Sequence, residues 1–349
     1  MHRDHLLRYE SFVIRNEVNI DITHKCTLQC PNCARQTSED WGGDMRKINA
    51  FGEEMSFDDF KKVADQFDLI NFCGNLSDPI HHPLFDKFLG YLYENNKRAH
   101  IHVAASSPKE SFFIKCFEAN PDAVWDFGID GLPKDSPIYR VNQDGEKLFR
   151  LMVKSRAILN STPKWQWIIF KYNENDMDEG IRIAQEVGVN INFLQSSRWL
   201  DDDPLKPTST ENSIKAKRGN NIKELDPKCC DGPVIQNIKQ LAINNRGELM
   251  PCCWFDTTKG RKDPIYKKLI AVSKINDHNS IEDILYSEVW QEFFEGLMND
   301  KGARQCHKSC PKRGTSKETN ITINTIHKPN GAIRVRDNIS TRILKGEDE

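Results

Sequence analysis

No apolar run in this chain approaches the ~18 residues that a membrane-spanning helix needs, so no span is expected. Charge of one sign is equally scarce. Lys and Arg total 49 against 51 Asp and Glu, a formal net charge of −2. A protein held to nucleic acid by a basic surface is therefore not expected. The opening residues, Met1-His-Arg-Asp-His-Leu-Leu-Arg8, lack the long apolar core of a secretory signal. That lack points to a reducing, cytoplasmic setting, where clustered thiols bind metal or serve catalysis rather than form disulfides. What the chain does have is 349 residues, 38% of them hydrophobic and 29% charged, enough for one large or two smaller globular domains. It also has eleven cysteines, many in close pairs or triplets.

Three of these fall in Cys26-Thr-Leu-Gln-Cys30-Pro-Asn-Cys33, directly after an alternating apolar run at 18–22 that reads as a strand. The thiols then lie on the loop leaving the strand's C-terminal end, where open α/β sheets and barrels place their chemistry. Three thiolates on one loop suit a soft metal centre. A 4Fe-4S cluster takes four ligands, so three thiolates leave one iron open, and open coordination makes a centre chemical rather than structural. A zinc knuckle is the alternative; it uses C-x2-C pairs with a fourth Cys or His, for which His24 is a candidate.

Downstream, Ser56 with Asp59 marks a helix start at 56–67. Strands are expected at 69–74, 99–105, 123–129, 165–171 and 189–194, and helices at 84–95, 110–118, 144–159 and 176–187. With the first strand this makes six strands alternating with helices, a pattern for a parallel sheet with right-handed crossovers. Residues 34–54 read as a helix start and a long excursion.

The spacing C-x3-C-x2-C resembles the signature loop of the radical S-adenosylmethionine (radical SAM) enzymes. The resemblance implies α/β architecture as a partial (β/α)6 TIM barrel. It implies an iron chelated by the amino and carboxylate groups of SAM, and cleavage of SAM by one electron to a 5'-deoxyadenosyl radical that abstracts hydrogen from a substrate. Gly74-Asn75-Leu76-Ser77-Asp78-Pro79 resembles the family's GGEP turn, whose backbone holds the SAM amino group; Asp78 is shorter than the usual Glu, and Ser77 replaces a Gly. Phe127-Gly-Ile-Asp-Gly131 with Ile138-Tyr-Arg140 resembles the segment S-[IL]-D-G…YR, with Gly128 in place of serine. Arg140 is then expected at the SAM carboxylate, which its planar fork suits. Ser106 at the end of the third strand is a candidate for a ribose or carboxylate hydrogen bond, and Leu194 for an adenine contact. Asn32 stands where many members carry an aromatic residue.

Residues 201–225 read as a linker or mobile loop. Beyond it come Cys229-Cys230, a hairpin signal at Asn245-Arg-Gly247, Cys252-Cys253, a capped helix from Ser280 to about 298, and Cys306-His-Lys-Ser-Cys310. Residues 226–315 resemble the small α+β cluster-binding extension called SPASM in its long form and Twitch in its short form. The resemblance implies a second 4Fe-4S cluster on Cys230 (or Cys229), Cys252, Cys306 and Cys310, with the choice within each doubled pair open. A four-cysteine zinc ribbon is the alternative. Cys73 and Cys116 are spare; Cys73 lies at a strand end and is a candidate hydrogen-atom donor. Residues 316–349 are polar with one alternating stretch at 319–326, a strand pair on the extension or a flexible tail.

The expected cofactors are two 4Fe-4S clusters and SAM. The expected partners are a peptide or protein substrate and an electron donor such as flavodoxin or ferredoxin. The alternatives are a small-molecule (aminocyclitol-type) dehydrogenase of the same superfamily and a zinc-binding adaptor without catalysis.

Overall fold

The computed structural model of the chain describes residues 13–14, 16–37, 54–74, 76–196, 202–209, 224–231, 237–257, 260–312, 317–327 and 333–343. Strand β1 (Val13–Ile14) is followed by β2 (Glu17–Ile20), β3 (Leu69–Phe72), β4 (Arg98–Val103), β5 (Val124–Gly128), β6 (Lys164–Ile168) and β7 (Asn190–Leu194). β2 through β7 lie side by side in chain order, all parallel. Helices connect them: α1 (Ala34–Thr37), α2 (Phe57–Ala64), α3 (Phe85–Glu94), α4 (Glu110–Ala119), α5 (Gly145–Ser155) and α6 (Met177–Val187). This is the partial (β/α)6 barrel expected from the alternation.

The two faces of the sheet differ sharply, because strand side chains alternate. On the helix side Ile70, Phe72, Ile101, Trp125, Phe127, Trp165, Trp167 and Phe193 are all but sealed from solvent. Phe117 of α4 meets Trp125 edge-on at 4.8 Å, and Gly180 of α6 lies so close to Trp167 that a Cβ there would stand 2.6 Å from the indole. The opposite, concave face carries Asn19, Asn71, His100, His102, Asp126, Lys164, Gln166, Asn190 and Asn192, placed by strand register. A closed barrel fills that space with branched apolar residues. Here the inside is polar, so it is built to hold water or a ligand rather than to pack.

The helix starts follow the caps read from sequence. Ser56 Oγ accepts the Asp59 amide at 3.1 Å, and Gly188 ends α6 in a left-handed conformation at φ 71°. The fifth strand stops at Ile168, short of the expected 171, because Asn173 turns the chain. Its Oδ1 accepts the Phe170 amide at 2.7 Å and its Nδ2 donates to the Ile168 carbonyl at 3.1 Å. Residues 202–209 are not a free linker. The Lys171 amide donates to the Leu205 carbonyl, and Glu174 accepts from the Thr208 amide at 3.0 Å, so this stretch is laid onto the barrel mouth. The excursion at 38–53 and residues 210–223 lie outside the described residues.

Past the barrel, β8 (Cys230–Asp231) and β9 (Asn237–Ile238) form a small sheet with β1. The hairpin β10 (Ala242–Ile243) and β11 (Leu249–Met250) turns at Gly247, φ 71°, as its sequence predicts. β10 pairs parallel with β2 and so extends the barrel sheet. Then come α7 (Pro264–Ile270), α8 (Ile281–Leu285), α9 (Glu288–Met298) and α10 (Arg304–Ser309). Ser280 and Asp283 form a full capping box, but the helix expected to run to 298 is two helices, the second restarting at Ser287. The alternating stretch at 319–326 belongs to β12 (Lys317–His327), which pairs with β13 (Ile333–Ile343). This strand pair sits on neither the extension nor a loose tail: β12 runs antiparallel to β7, Thr322 opposite Asn192, and covers the far edge of the barrel.

Candidate active site

The loop after β2 carries Cys26, Cys30 and Cys33 to the C-terminal mouth of the barrel. Arg35 in α1 holds it there. The Arg35 side chain is buried, and its Nη1 donates to the carbonyls of His24 (2.5 Å) and Leu76 (2.6 Å) while Nη2 donates to that of Cys26 (3.2 Å). One guanidinium thus ties the cysteine loop to the turn after β3. Burial lowers the pKa of Arg35, and the neighbouring Cys26, Cys33 and Cys30 pull it back up. The three thiols thus share their loop with one buried cation, the charge that a set of thiolates needs. Burial pushes Cys26 up to about 12, aided by Asp78, and Cys30 to about 11, opposed by Arg140. Thiols so held give up their protons to a metal rather than to water. Asn32 Nδ2 donates to Asp203 Oδ2 at 3.1 Å, which fastens residues 202–209 over the loop. His24, the alternative zinc ligand, has its Nε2 3.3 Å from Arg261 Nη2, beside a cation.

The strand ends around the loop hold the other expected residues. At Gly74 a Cβ would stand 2.5 Å from the Ser77 carbonyl oxygen and 2.9 Å from Asp21 Oδ1, so the turn needs glycine. Ser77 Oγ donates to Asp21 Oδ1 at 2.6 Å. Asp78 is buried and fully engaged: Oδ2 accepts the Ala104 and Ala105 amides at 2.7 Å each, and Oδ1 accepts the Ile80 amide at 3.2 Å. Its carboxylate stitches the β3 turn to the end of β4. The backbone of this turn remains the part able to meet a ligand. Asn75 lies outside the described residues. Ser106 is buried, and its Oγ accepts the Asp144 amide at 2.7 Å, at the cap of α5. Arg140 Nε stands 2.8 Å from Asp130 Oδ2, its guanidinium across Gly128 and near Cys30. Burial works against its charge, and Asp130 and then Cys30 outweigh that and raise its pKa. Leu194, half-buried at the end of β7, accepts the Ile169 amide through its carbonyl. Cys73 opens onto the barrel interior; protein on nearly every side pushes it up to about 12, with Cys253 and Asp21 adding to the shift.

The second group of cysteines also converges. Cys229 is raised first by its hydrogen bond to Cys230, 3.9 Å between sulfurs, then by burial, with Cys252 and Cys306 close enough to contribute. Burial pushes Cys252 and Cys306 up to about 12 each, and Cys310 acts on both. Cys230 acts on Cys306 and Cys310. Cys229 and Cys230 are thus adjacent, and Cys252, Cys306 and Cys310 each feel the charge of another member of the group. Cys253 is shifted by Cys252 and Asp21 and in turn acts on Cys73, so it faces the barrel. None of the eleven cysteines is in a disulfide.

No family model and no curated protein sequence matches the chain. Solved structures do. Streptococcus suis SuiB bound to S-adenosylmethionine superposes with a TM-score of 0.57 at 12% identity, over 84% of this chain and 71% of that one. SuiB bound to precursor peptide SuiA matches at 0.56 over 84% and 70%. The protein anSMEcpe with bound AdoMet matches at 0.52 and 13% identity, over 85% of this chain and 87% of that one. This chain has their fold.

Several residues of the site escape a reading of the sequence. Arg35 and Asp203 carry no motif. Asp21 is a polar position within the alternating run at 18–22, and only the fold shows that it meets Ser77 and lies near Cys73 and Cys253. Asp130 sits inside the quoted Asp-Gly segment, and its pairing with Arg140 was legible at most as two opposite charges nearby. Among the described residues no helix is long and apolar enough to cross a membrane.

Proposed function

We propose that the chain is a radical SAM enzyme that acts on a peptide or protein substrate. The observation that carries this reading is that buried Arg35 ties the loop of Cys26, Cys30 and Cys33 to the turn after β3, at the C-terminal mouth of a barrel whose interior is polar. The donor set fits a 4Fe-4S cluster with one iron left open. For SAM, the proposed contacts are the backbone at Gly74 and at Ser77–Asp78, the guanidinium of Arg140, Ser106 beyond β4 and Leu194 at the end of β7. When bound, the cluster and SAM together supply a 5'-deoxyadenosyl radical that takes a hydrogen atom from the substrate. The chain's own residues orient these groups and exclude water. Arg35 fixes the thiols, Asp78 locks the turn to β4, and residues 202–209 cover the mouth.

In this reading Cys252, Cys306 and Cys310, with Cys230 or Cys229, hold a second 4Fe-4S cluster of the Twitch kind, and Cys253 is free of it. The substrate class rests on the fold shared with SuiB, whose structure with precursor peptide SuiA matches this chain. The setting is cytoplasmic, with a flavodoxin or ferredoxin as electron donor. Anaerobic reconstitution with iron and sulfide tests the reading. Iron–sulfur absorbance and 5'-deoxyadenosine formed from SAM under dithionite are expected. Zinc binding alone, with no cleavage of SAM, would leave the adaptor reading in place.

A further inference from the structure

The polar interior of the barrel holds one cluster that neither thiol group explains. His100 and His102 are two apart on β4 and so point to one face. Asp126 on β5 stands opposite His102 in the strand register. Asp126 Oδ2 lies 3.2 Å from His100 Nε2 and 3.7 Å from His102 Nδ1, and the three donor atoms all fall within 4.8 Å of one another. The imidazole rings are 4.4 Å apart at an angle of 37°. A tetrahedral ion with nitrogen and oxygen ligands at about 2.0–2.1 Å sets its donors roughly 3.3 Å apart.

We infer that His100, His102 and Asp126 form a mononuclear site for a divalent first-row ion of the zinc or iron(II) kind, separate from both thiol clusters. Two imidazoles and one carboxylate suit such ions, and three protein donors leave an open position, the arrangement of reactive rather than structural sites. That position faces the barrel interior, where it would take an oxygen or nitrogen of a bound molecule. The two histidines keep 28% and 30% of their side-chain surface, so the site is reachable, while Asp126 keeps only 4%. Gln166, on the next strand but one, shares this inner face with His102.

Lys164 is the competitor. Its Nζ lies 3.0 Å from Asp126 Oδ1 and 3.2 Å from Oδ2, so an ammonium already serves the carboxylate. It sits on a flexible stem with 23% of its side chain exposed and can swing aside. Binding is thus an exchange of one cation for another, and removal of Lys164 must strengthen it.

The test uses the anaerobically reconstituted, desalted protein with both clusters loaded, titrated with Zn2+ and assayed by elemental analysis and calorimetry. One zinc per chain beyond the iron–sulfur complement is expected. In His102→Ala it is lost, with iron content and cluster absorbance unchanged. In Lys164→Met the affinity for zinc rises about tenfold or more, because a charge a few ångströms from the ion is gone; a misfolded variant does not gain affinity. No extra zinc in the wild type, equal zinc in His102→Ala, or unchanged affinity in Lys164→Met would each overturn the site. None of these readouts involves SAM, so their failure leaves the radical SAM reading standing.

Discussion

Arg140 lies directly across Gly128: a Cβ on residue 128 would stand 2.9 Å from Nη2 and 3.1 Å from Cζ of the guanidinium. Any side chain at 128 and this placement of Arg140 exclude each other, so the glycine is fitted to the arginine. Gly128→Ala is expected to push the guanidinium off its pairing with Asp130 and out of the site. If Arg140 meets the SAM carboxylate, SAM affinity should fall about tenfold, some 1.4 kcal/mol. Equilibrium dialysis of SAM against the anaerobic protein measures it. Unchanged affinity would remove Arg140 from the site.

Arg35→Met removes a buried cation and leaves the carbonyls of His24, Leu76 and Cys26 without their donor. Each orphaned buried acceptor costs about 1–3 kcal/mol. The expected outcome is a loosened cysteine loop that takes up less iron after reconstitution, while the second thiol group still fills. Iron analysis of Arg35→Met beside the Cys26→Ala variant distinguishes a loop defect from global unfolding: the two should lose similar amounts of iron.

Cys30→Ala and Cys306→Ala separate the two thiol groups. The first should abolish 5'-deoxyadenosine formation. The second should spare some cleavage of SAM uncoupled from product, because Cys306 lies with Cys252 and Cys310, in the second group. Chromatography of the SAM products under dithionite decides; equal cleavage by wild type and Cys30→Ala would contradict the assignment of the first loop.

The barrel was legible from its strands because alternation, caps and turn residues act over a few positions. Ser56, Ser280, Gly188 and Gly247 each do locally what their residue types favour. The site was legible only where a short motif carries it. The Asn32–Asp203 hydrogen bond spans 171 positions and the Arg261–His24 contact 237, and no local pattern encodes either. The split at Ser287 was legible in the apolar spacing: on one continuous helix Ile281, Ile284 and Leu285 would face about half a turn away from Trp290, Phe293, Phe294 and Leu297, so the two stripes cannot share one helix. The pairing of β12 with β7 depends on which sheet edge is open, a property of the closed fold rather than of residues 317–327.

Asp256 anchors the segment after Cys252. It is buried, receives Arg261 through Nε at 2.6 Å and Nη2 at 2.8 Å, and accepts the Tyr266 hydroxyl at 2.9 Å. Burial opposes its charge, but Arg261 and Tyr266 prevail and hold its pKa below the usual carboxylate range. A depressed carboxyl contributes stability that is complete above its unfolded pKa, near 4, and fades as acid protonates the folded form. Asp256→Asn should therefore be less stable than wild type at neutral pH, by about 3–5 kcal/mol for a broken buried pair. The gap should narrow as pH falls below 4. Denaturant unfolding of both proteins across that range checks the sign; a gap that widened in acid would refute it.

The strand pair β12–β13 closes the edge of the barrel sheet at β7. β7 pairs with β6 on one edge and with β12 on the other, Ile321 opposite Phe193 and Ile323 opposite Ile191. Without β12, β7 would present a row of unpaired amides and carbonyls next to the buried Ile191 and Phe193, a ready template for association. A chain ending at residue 316 keeps every cysteine and every strand-end residue of the site. It should therefore still bind iron–sulfur clusters yet self-associate, with a concentration-dependent sedimentation coefficient and a lower melting temperature. A monomeric truncated chain of unchanged stability would show that the strand pair is not what seals β7.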